Sequence, residues 1–71
     1  DILFIESNFL HQEEKNALET NHLTAYQAGK IAKLAEAKRV KLFHFSQRYL
    51  KEKIFPEEKF YSQMEEGRQE E

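Results

Sequence analysis

The chain contains no cysteine, no tryptophan, one proline and two glycines among its 71 residues. Without cysteine it has neither a disulfide framework nor a thiolate zinc site to support a small core. Its longest apolar run is a handful of residues, far short of the roughly 20 that a transmembrane helix needs. The first residues, Asp1 to Glu6, lack the basic region of a secretory signal. We therefore expect no membrane association and a cytoplasmic location.

The charge pattern argues against a free-standing nucleic-acid-binding domain. The net charge is −2, whereas most such domains carry the basic excess that neutralises phosphates. Basic side chains concentrate between Lys30 and Lys53, and acidic ones from Glu57 onward. Hydrophobic residues make up 39% of the chain, which is enough for a folded core and argues against a fully disordered one. Any RNA contact is therefore expected from the middle segment.

Hydrophobic periodicity predicts an α/β fold with a parallel strand pair. Thr24 and Gln27 form the sequence signature of a capping box, and Ser46 is a second candidate cap. The predicted elements, in chain order, are a buried strand at 2–5, a helix at 11–19, a helix at 25–37 with a stripe of small residues, a strand at 40–45, a short helical turn at 47–53 and a helix from Pro56 to about Met64. A strand, helical crossover and strand form the βαβ unit, which is parallel and right-handed.

Two parallel strands do not make a stable sheet by themselves, because such sheets need several strands and cover on both faces. The chain also lacks an initiator methionine and begins on what resembles the middle of a strand. We therefore expect residues 1–64 to be one segment of a larger domain, and residues 65–71 to be a disordered acidic tail.

Three histidines are the candidate chemical groups. His11 lies in a polar, acid-rich helix and is expected to be solvated. His22 precedes a capped helix, a position typical of a loop residue. His44 ends a predicted parallel strand, where α/β sheets bind ligands, so its imidazole is either a metal ligand or a hydrogen-bonded core group.

Two motifs resemble the C-terminal part of tRNase Z, a branch of the metallo-β-lactamase fold. The first is Asn21-His22-Leu23-Thr24, followed by a Gln-Ala pair that opens a helix. The second is His44-Phe45-Ser46-Gln47-Arg48-Tyr49, and its histidine lies 22 residues after the first. The segment 1–9 is similar to a strand of that family that ends in a His-Glu-Ala-Thr-like segment. The resemblance covers residues 1 to 51; Leu23, Ile5 and the Ser-Asn pair depart from the family pattern.

The resemblance implies a βαβ part of an αββα sandwich with two zinc ions, which polarise a scissile phosphate and activate water. It implies that His44 is a zinc ligand and that His22 is a catalytic-loop residue acting on the leaving 3′ oxygen. The supporting positions that it implies around them are Glu6, Thr24 and Ser46. Arg48 is either a contact to RNA phosphate or part of an internal ion pair, and Tyr49 is expected to pack.

The remaining zinc ligands, including a His-x-His-x-Asp-His cluster, lie N-terminal to this segment in tRNase Z and are absent from the chain. The implied partners are the rest of the domain, precursor tRNA and a second subunit. The implied activity is removal of the 3′ trailer from precursor tRNA, with this segment incomplete as a catalyst. The alternatives are another hydrolase of the same fold, resembling arylsulfatases or phosphodiesterases, and a non-catalytic α/β interaction module.

Overall fold

The computed structural model describes residues 2–69, which form a two-stranded parallel sheet with helices packed against it. This confirms the predicted mixed α/β class. The elements are β1 (Ile2–Glu6), a 3-10 turn (His11–Glu13), α1 (Glu14–Glu19), α2 (Ala25–Leu34), β2 (Arg39–Phe43), α3 (Gln47–Leu50) and α4 (Glu57–Gln69). The predicted helix at 11–19 is thus divided into a 3-10 turn and α1.

The two strands pair in parallel register from Ile2 opposite Arg39 to Glu6 opposite Phe43. Alternate side chains point to opposite faces of a strand, and only one face of this sheet is covered within the described residues. Phe4, on the other face, is 63% exposed. The prediction that β1 is a buried strand was therefore wrong: Ile2 and Phe4 are exposed, and Leu3 and Ile5 are only partly buried.

Helix α2 begins at the predicted capping box. The Thr24 hydroxyl accepts a hydrogen bond from the Gln27 amide, and the Gln27 side chain accepts one from the Thr24 amide. In the predicted stripe of small residues, Ala25, Ala28 and Ala32 are buried, as expected. The prediction was wrong at Ile31 and Ala35, which are exposed. The buried face instead includes Gly29, because α2 packs closely against α4.

Helix α4 extends to Gln69. The prediction that it ends near Met64 was wrong. Two contacts explain the extra turn. Gly67 is buried and lies against the backbone of Tyr26, and the Arg68 guanidinium donates a 2.8 Å hydrogen bond to the carbonyl of Ala37. The predicted disordered tail therefore does not begin at residue 65; residues 70 and 71 lie outside the described part of the chain.

Strand β2 ends at Phe43, two residues earlier than predicted, because His44 adopts a left-handed backbone conformation with φ of 60°. A residue in that conformation cannot continue the extended ladder. The strand therefore stops at the point where His44 leaves the sheet.

The core is built around Phe60, which is fully buried. The rings of Phe45, Tyr49 and Phe55 surround it at centroid distances of 4.8 to 5.7 Å. The Tyr49 hydroxyl also accepts a buried hydrogen bond of 3.0 Å from the amide of Leu10. Burial raises the pKa of this phenol above its ordinary value. Tyr49 therefore packs, as its sequence position predicted.

None of the helices within residues 2–69 has both the length and the apolar character that are needed to cross a bilayer.

Candidate active site at the ends of the parallel strands

Three chain segments meet at the carboxyl end of the sheet. Glu6 ends β1, and its partner in the register is Phe43, so His44 emerges beside it. His22 lies in the turn between α1 and α2, which approaches the same sheet edge. The imidazole rings of His22 and His44 are 5.3 Å apart and edge-to-face. The structure thus brings together three of the residues that the sequence motifs single out.

The Glu6 carboxylate lies between the two imidazoles. Its Oε2 is 2.9 Å from Nδ1 of His22, and its Oε1 is 3.4 Å from Nδ1 of His44. The amide of Leu23 donates a further hydrogen bond of 2.9 Å to Oε2. The carboxylate therefore connects both histidines and the backbone of the His22 turn.

The electrostatic balance favours an ionised carboxylate. Burial by itself raises the pKa of Glu6, but the hydrogen bonds from the Leu23 amide and His22 outweigh this effect, and the net result is a lowered pKa. The charge that His22 carries when protonated and the contact with His44 act in the same direction. Glu6 is therefore a negative, acceptor-only group at neutral pH.

Both histidines present their second ring nitrogen away from Glu6. Because each Nδ1 faces the carboxylate, each Nε2 lies on the opposite side of its ring. The side chain of His44 is 56% exposed and that of His22 is 31% exposed. A carboxylate on one nitrogen and a free second nitrogen is the usual environment of a histidine that binds a metal. One ligand atom from each of Glu6, His22 and His44 lies within 4.8 Å of the other two.

Asn8, in the segment that follows β1, contacts both the loop that carries His22 and the loop that carries His44. The amide of Asn8 donates to the carbonyl of Leu23, next to His22, over 2.9 Å. The carbonyl of Asn8 accepts from the amide of Ser46, two residues beyond His44, over the same distance. The Asn8 side-chain amide donates to the carbonyl of His44, also at 2.9 Å.

The other predicted site residues have structural contacts in the described chain. Thr24 is fully buried and caps α2, and the Ser46 hydroxyl caps α3 by accepting from the amide of Arg48. The Arg48 guanidinium pairs with Glu13 at 2.6 Å, which corresponds to the ion-pair interpretation of this residue. Its contact with RNA remains a prediction. His11 is exposed, and its nearest ring is that of Tyr26.

Sequence reasoning missed the role of Asn8, which it noted only as a departure from the family pattern. The contact with His44 joins residues 36 positions apart, and no local pattern predicts such a pairing. The only sequence signal was that Ser7 and Asn8 replace an Ala-Thr pair of the resembled family.

Comparison with known proteins finds ribonuclease Z repeatedly. The chain is 47% identical over 58 residues to ribonuclease Z of Phocaeicola vulgatus, a match of 82% of this chain and 19% of that protein. It is 49% identical over 49 residues to ribonuclease Z of Streptomyces coelicolor, which is 69% of this chain and 16% of that protein. The corresponding values for Bacteroides thetaiotaomicron are 46% over 54 residues, 76% and 17%.

No family model matches the chain, and no solved structure matches it. The chain spans about a fifth of the length of the curated relatives that it matches, or less. These relatives share its sequence at close to half of the aligned positions over most of its length. The predicted resemblance is confirmed: the chain matches a C-terminal segment of ribonuclease Z.

Proposed function

We propose that the chain supplies part of the active site of a zinc-dependent endoribonuclease that removes the 3′ trailer from precursor tRNA. The observation that carries the proposal is the position of the Glu6 carboxylate, which contacts both His22 and His44 at Nδ1. The names of the relatives support a nuclease acting on RNA. The finer assignment to precursor tRNA follows the motif resemblance.

His44 is proposed as the metal ligand. Its ring fits zinc, because neutral imidazole nitrogen is a preferred zinc donor and the second nitrogen has a carboxylate partner. When bound, zinc would polarise the scissile phosphate and make a nucleophile available at neutral pH. The contribution of this chain is to fix the ring: Glu6 and the Asn8–Ser46 backbone contact hold it at the sheet edge.

His22 is proposed as the proton donor to the leaving 3′ oxygen. When His22 is protonated, its Nδ1 proton stays on the ring and is donated to Glu6 in a hydrogen bond. Its Nε2 proton can pass to the alkoxide that forms as the P–O bond breaks. The hydrogen bond with Glu6 fixes the orientation of the ring. The ring separation of 5.3 Å supports these two roles, because groups this close together can contact one phosphodiester group.

The remainder of the site is proposed to come from the rest of a metallo-β-lactamase-type domain. A single histidine cannot hold zinc tightly, since such sites use three or four protein ligands. The uncovered sheet face, with Phe4 and Phe43 exposed, is a surface that a neighbouring layer would bury. The relatives are about five times as long as the matched segment. By resemblance to the same family, we also propose that the whole protein is cytoplasmic and forms a homodimer.

A hybrid enzyme tests the function. In ribonuclease Z of Phocaeicola vulgatus, the segment that matches this chain over 58 residues would be replaced by the corresponding residues of this chain. We expect the hybrid to bind zinc and to remove the 3′ trailer from a precursor tRNA, because His22 and His44 lie in motifs that resemble those of the family. The measurement is cleavage of a labelled precursor tRNA, beside the unmodified relative.

The hybrid carrying His11→Ala is the matched control, since His11 is exposed and outside the site. It should cleave as well as the hybrid itself. A folded, zinc-loaded hybrid that leaves precursor tRNA intact would contradict the proposal. Hydrolysis of a small phosphodiester by that same hybrid would favour the alternative of a different hydrolase of this fold.

A further inference from the structure

His44 holds an unusual backbone conformation for a non-glycine residue. Three described residues other than glycine have left-handed φ values: Asn21 at 59°, Glu36 at 54° and His44 at 60°. Asn21 and Glu36 each follow the C-terminus of a helix, where the two backbone hydrogen bonds of a Schellman motif compensate for the conformation. His44 follows a strand instead, and no helix cap supports it.

The support comes from the side chain of Asn8. Its Nδ2 donates a 2.9 Å hydrogen bond to the carbonyl of His44, and Asn8 is only 7% exposed. The bond is partly buried, and a carbonyl that is shielded from water is costly to leave without a partner. Left-handed conformations of bulky residues persist where surrounding contacts determine them, and they concentrate at functional sites. The Asn8 amide is that contact for His44.

We propose that Asn8 is a positioning residue that holds the His44 imidazole against Glu6 by fixing the His44 backbone. The inference rests on the proposed function only in naming His44 as a ligand. If the backbone of His44 moved to the usual negative φ, its Cβ would change direction, and Nδ1 would lose the 3.4 Å contact with Glu6. Asn8 thereby sets the direction of the free Nε2.

The effect is specific to one of the two histidine loops. Asn8 reaches the His22 loop only through its backbone amide, which bonds to the carbonyl of Leu23. It reaches the His44 loop through its side chain as well. The backbone bond between Asn8 and Ser46 would remain without the side chain. Removing the side chain should therefore free only the His44 backbone conformation and leave the contact between His22 and Glu6 in place.

Ser7 provides a matched control. It is adjacent to Asn8 and fully buried, and its hydroxyl has no hydrogen-bond partner in the described chain. Ser7→Ala removes a side-chain oxygen of comparable burial without breaking a contact. Its backbone amide, which donates to the carbonyl of Phe43, is retained.

The geometric test uses isotope-labelled chain and NMR. In the unsubstituted chain we expect a strong amide–Hα NOE within His44, the signature of a left-handed φ, and slowed hydrogen exchange of one Asn8 side-chain amide proton. In Asn8→Ala the His44 NOE should fall to the level of its neighbours, while the His22 ring keeps its contact with Glu6. A strong His44 NOE in Asn8→Ala, or an Asn8 amide that exchanges freely in the unsubstituted chain, would overturn the inference.

The functional test uses the hybrid enzyme. Asn8→Ala should lower zinc affinity or kcat by about 10- to 100-fold, the range seen when a group that orients a ligand is lost, with KM little changed. Added zinc should restore part of the activity, and Ser7→Ala should leave it unchanged. Wild-type zinc affinity and kcat in Asn8→Ala would refute the positioning role. An inactive unsubstituted hybrid would count against the proposed function instead, and the NMR result would still decide the geometry.

Discussion

Alanine in place of His44 is expected to remove most of the zinc, and nearly all of the cleavage activity, from the hybrid enzyme. Loss of a group that merely supports a ligand costs about 10- to 100-fold, so loss of the ligand itself should exceed about 100-fold. The physical reason is that no other described side chain near Glu6 except His22 can offer an imidazole nitrogen. Metal analysis and a cleavage assay on the purified hybrid measure both effects.

His22→Ala is the comparison that separates the two roles. If His22 donates a proton and does not bind metal, this variant should keep its zinc and lose about 10²- to 10⁴-fold in kcat, the contribution of general acid catalysis. A leaving group that needs no proton, such as a nitrophenolate, should recover much of the difference. Zinc loss in His22→Ala together with zinc retention in His44→Ala would reverse the assignments.

Gly29→Ala is expected to destabilise the fold by roughly 3 kcal/mol or more, at the top of the range for overpacking. A Cβ at Gly29 would lie 1.9 Å from the carbonyl oxygen of Met64, and one at Gly67 would lie 2.1 Å from that of Tyr26. Both obstacles are backbone atoms, so a rotamer change cannot relieve them. Helices α2 and α4 would have to move apart. Urea unfolding of the hybrid, or of the chain itself, gives the change in free energy.

The matched control for this prediction is Ser62→Ala on α4. Ser62 is exposed, so its replacement should change the free energy of unfolding by no more than about 0.5 kcal/mol. Gly67→Ala should resemble Gly29→Ala. Unaltered stability in both glycine variants would contradict the close crossing of α2 and α4.

The parts of the fold that sequence predicted are those with a local signal. Thr24 and Gln27 lie three residues apart and bond to each other, so their role can be read from adjacent positions. The apolar strand at Ile2 is likewise visible without its partner. The candidate site was found through motif resemblance, because His22 and His44 considered singly were compatible with ordinary loop and core positions.

The parts that were missed depend on contacts between distant residues. In sequence, the two glycines are residues that weaken a helix. The structure shows that they allow the backbones of α2 and α4 to approach closely. Arg68 stabilises the last turn of α4 through the carbonyl of Ala37, 31 positions away. The sequence prediction ended that helix too early, because the residues near Met64 do not indicate that Arg68 has this distant partner.

Sequence left both interpretations of Arg48 open for the same reason, that its partner is distant along the chain. Its partner Glu13 is 35 residues away, and sequence offers many acidic candidates. The pair joins the 3-10 turn to α3. Half-exposed ion pairs of this kind contribute little stability, so Arg48 could still exchange Glu13 for a phosphate at small cost.

The tautomers of His22 and His44 test the central claim most directly. Long-range ¹H–¹⁵N NMR distinguishes a ring protonated at Nδ1 from one protonated at Nε2, at a pH where both rings are neutral. If Glu6 accepts from both rings, each should carry its proton on Nδ1, and Glu6→Gln should weaken that preference. Protons on Nε2 of both rings would mean that Glu6 accepts a hydrogen bond from neither Nδ1 and that Nε2 of His44 is not free for a metal, and would contradict the account.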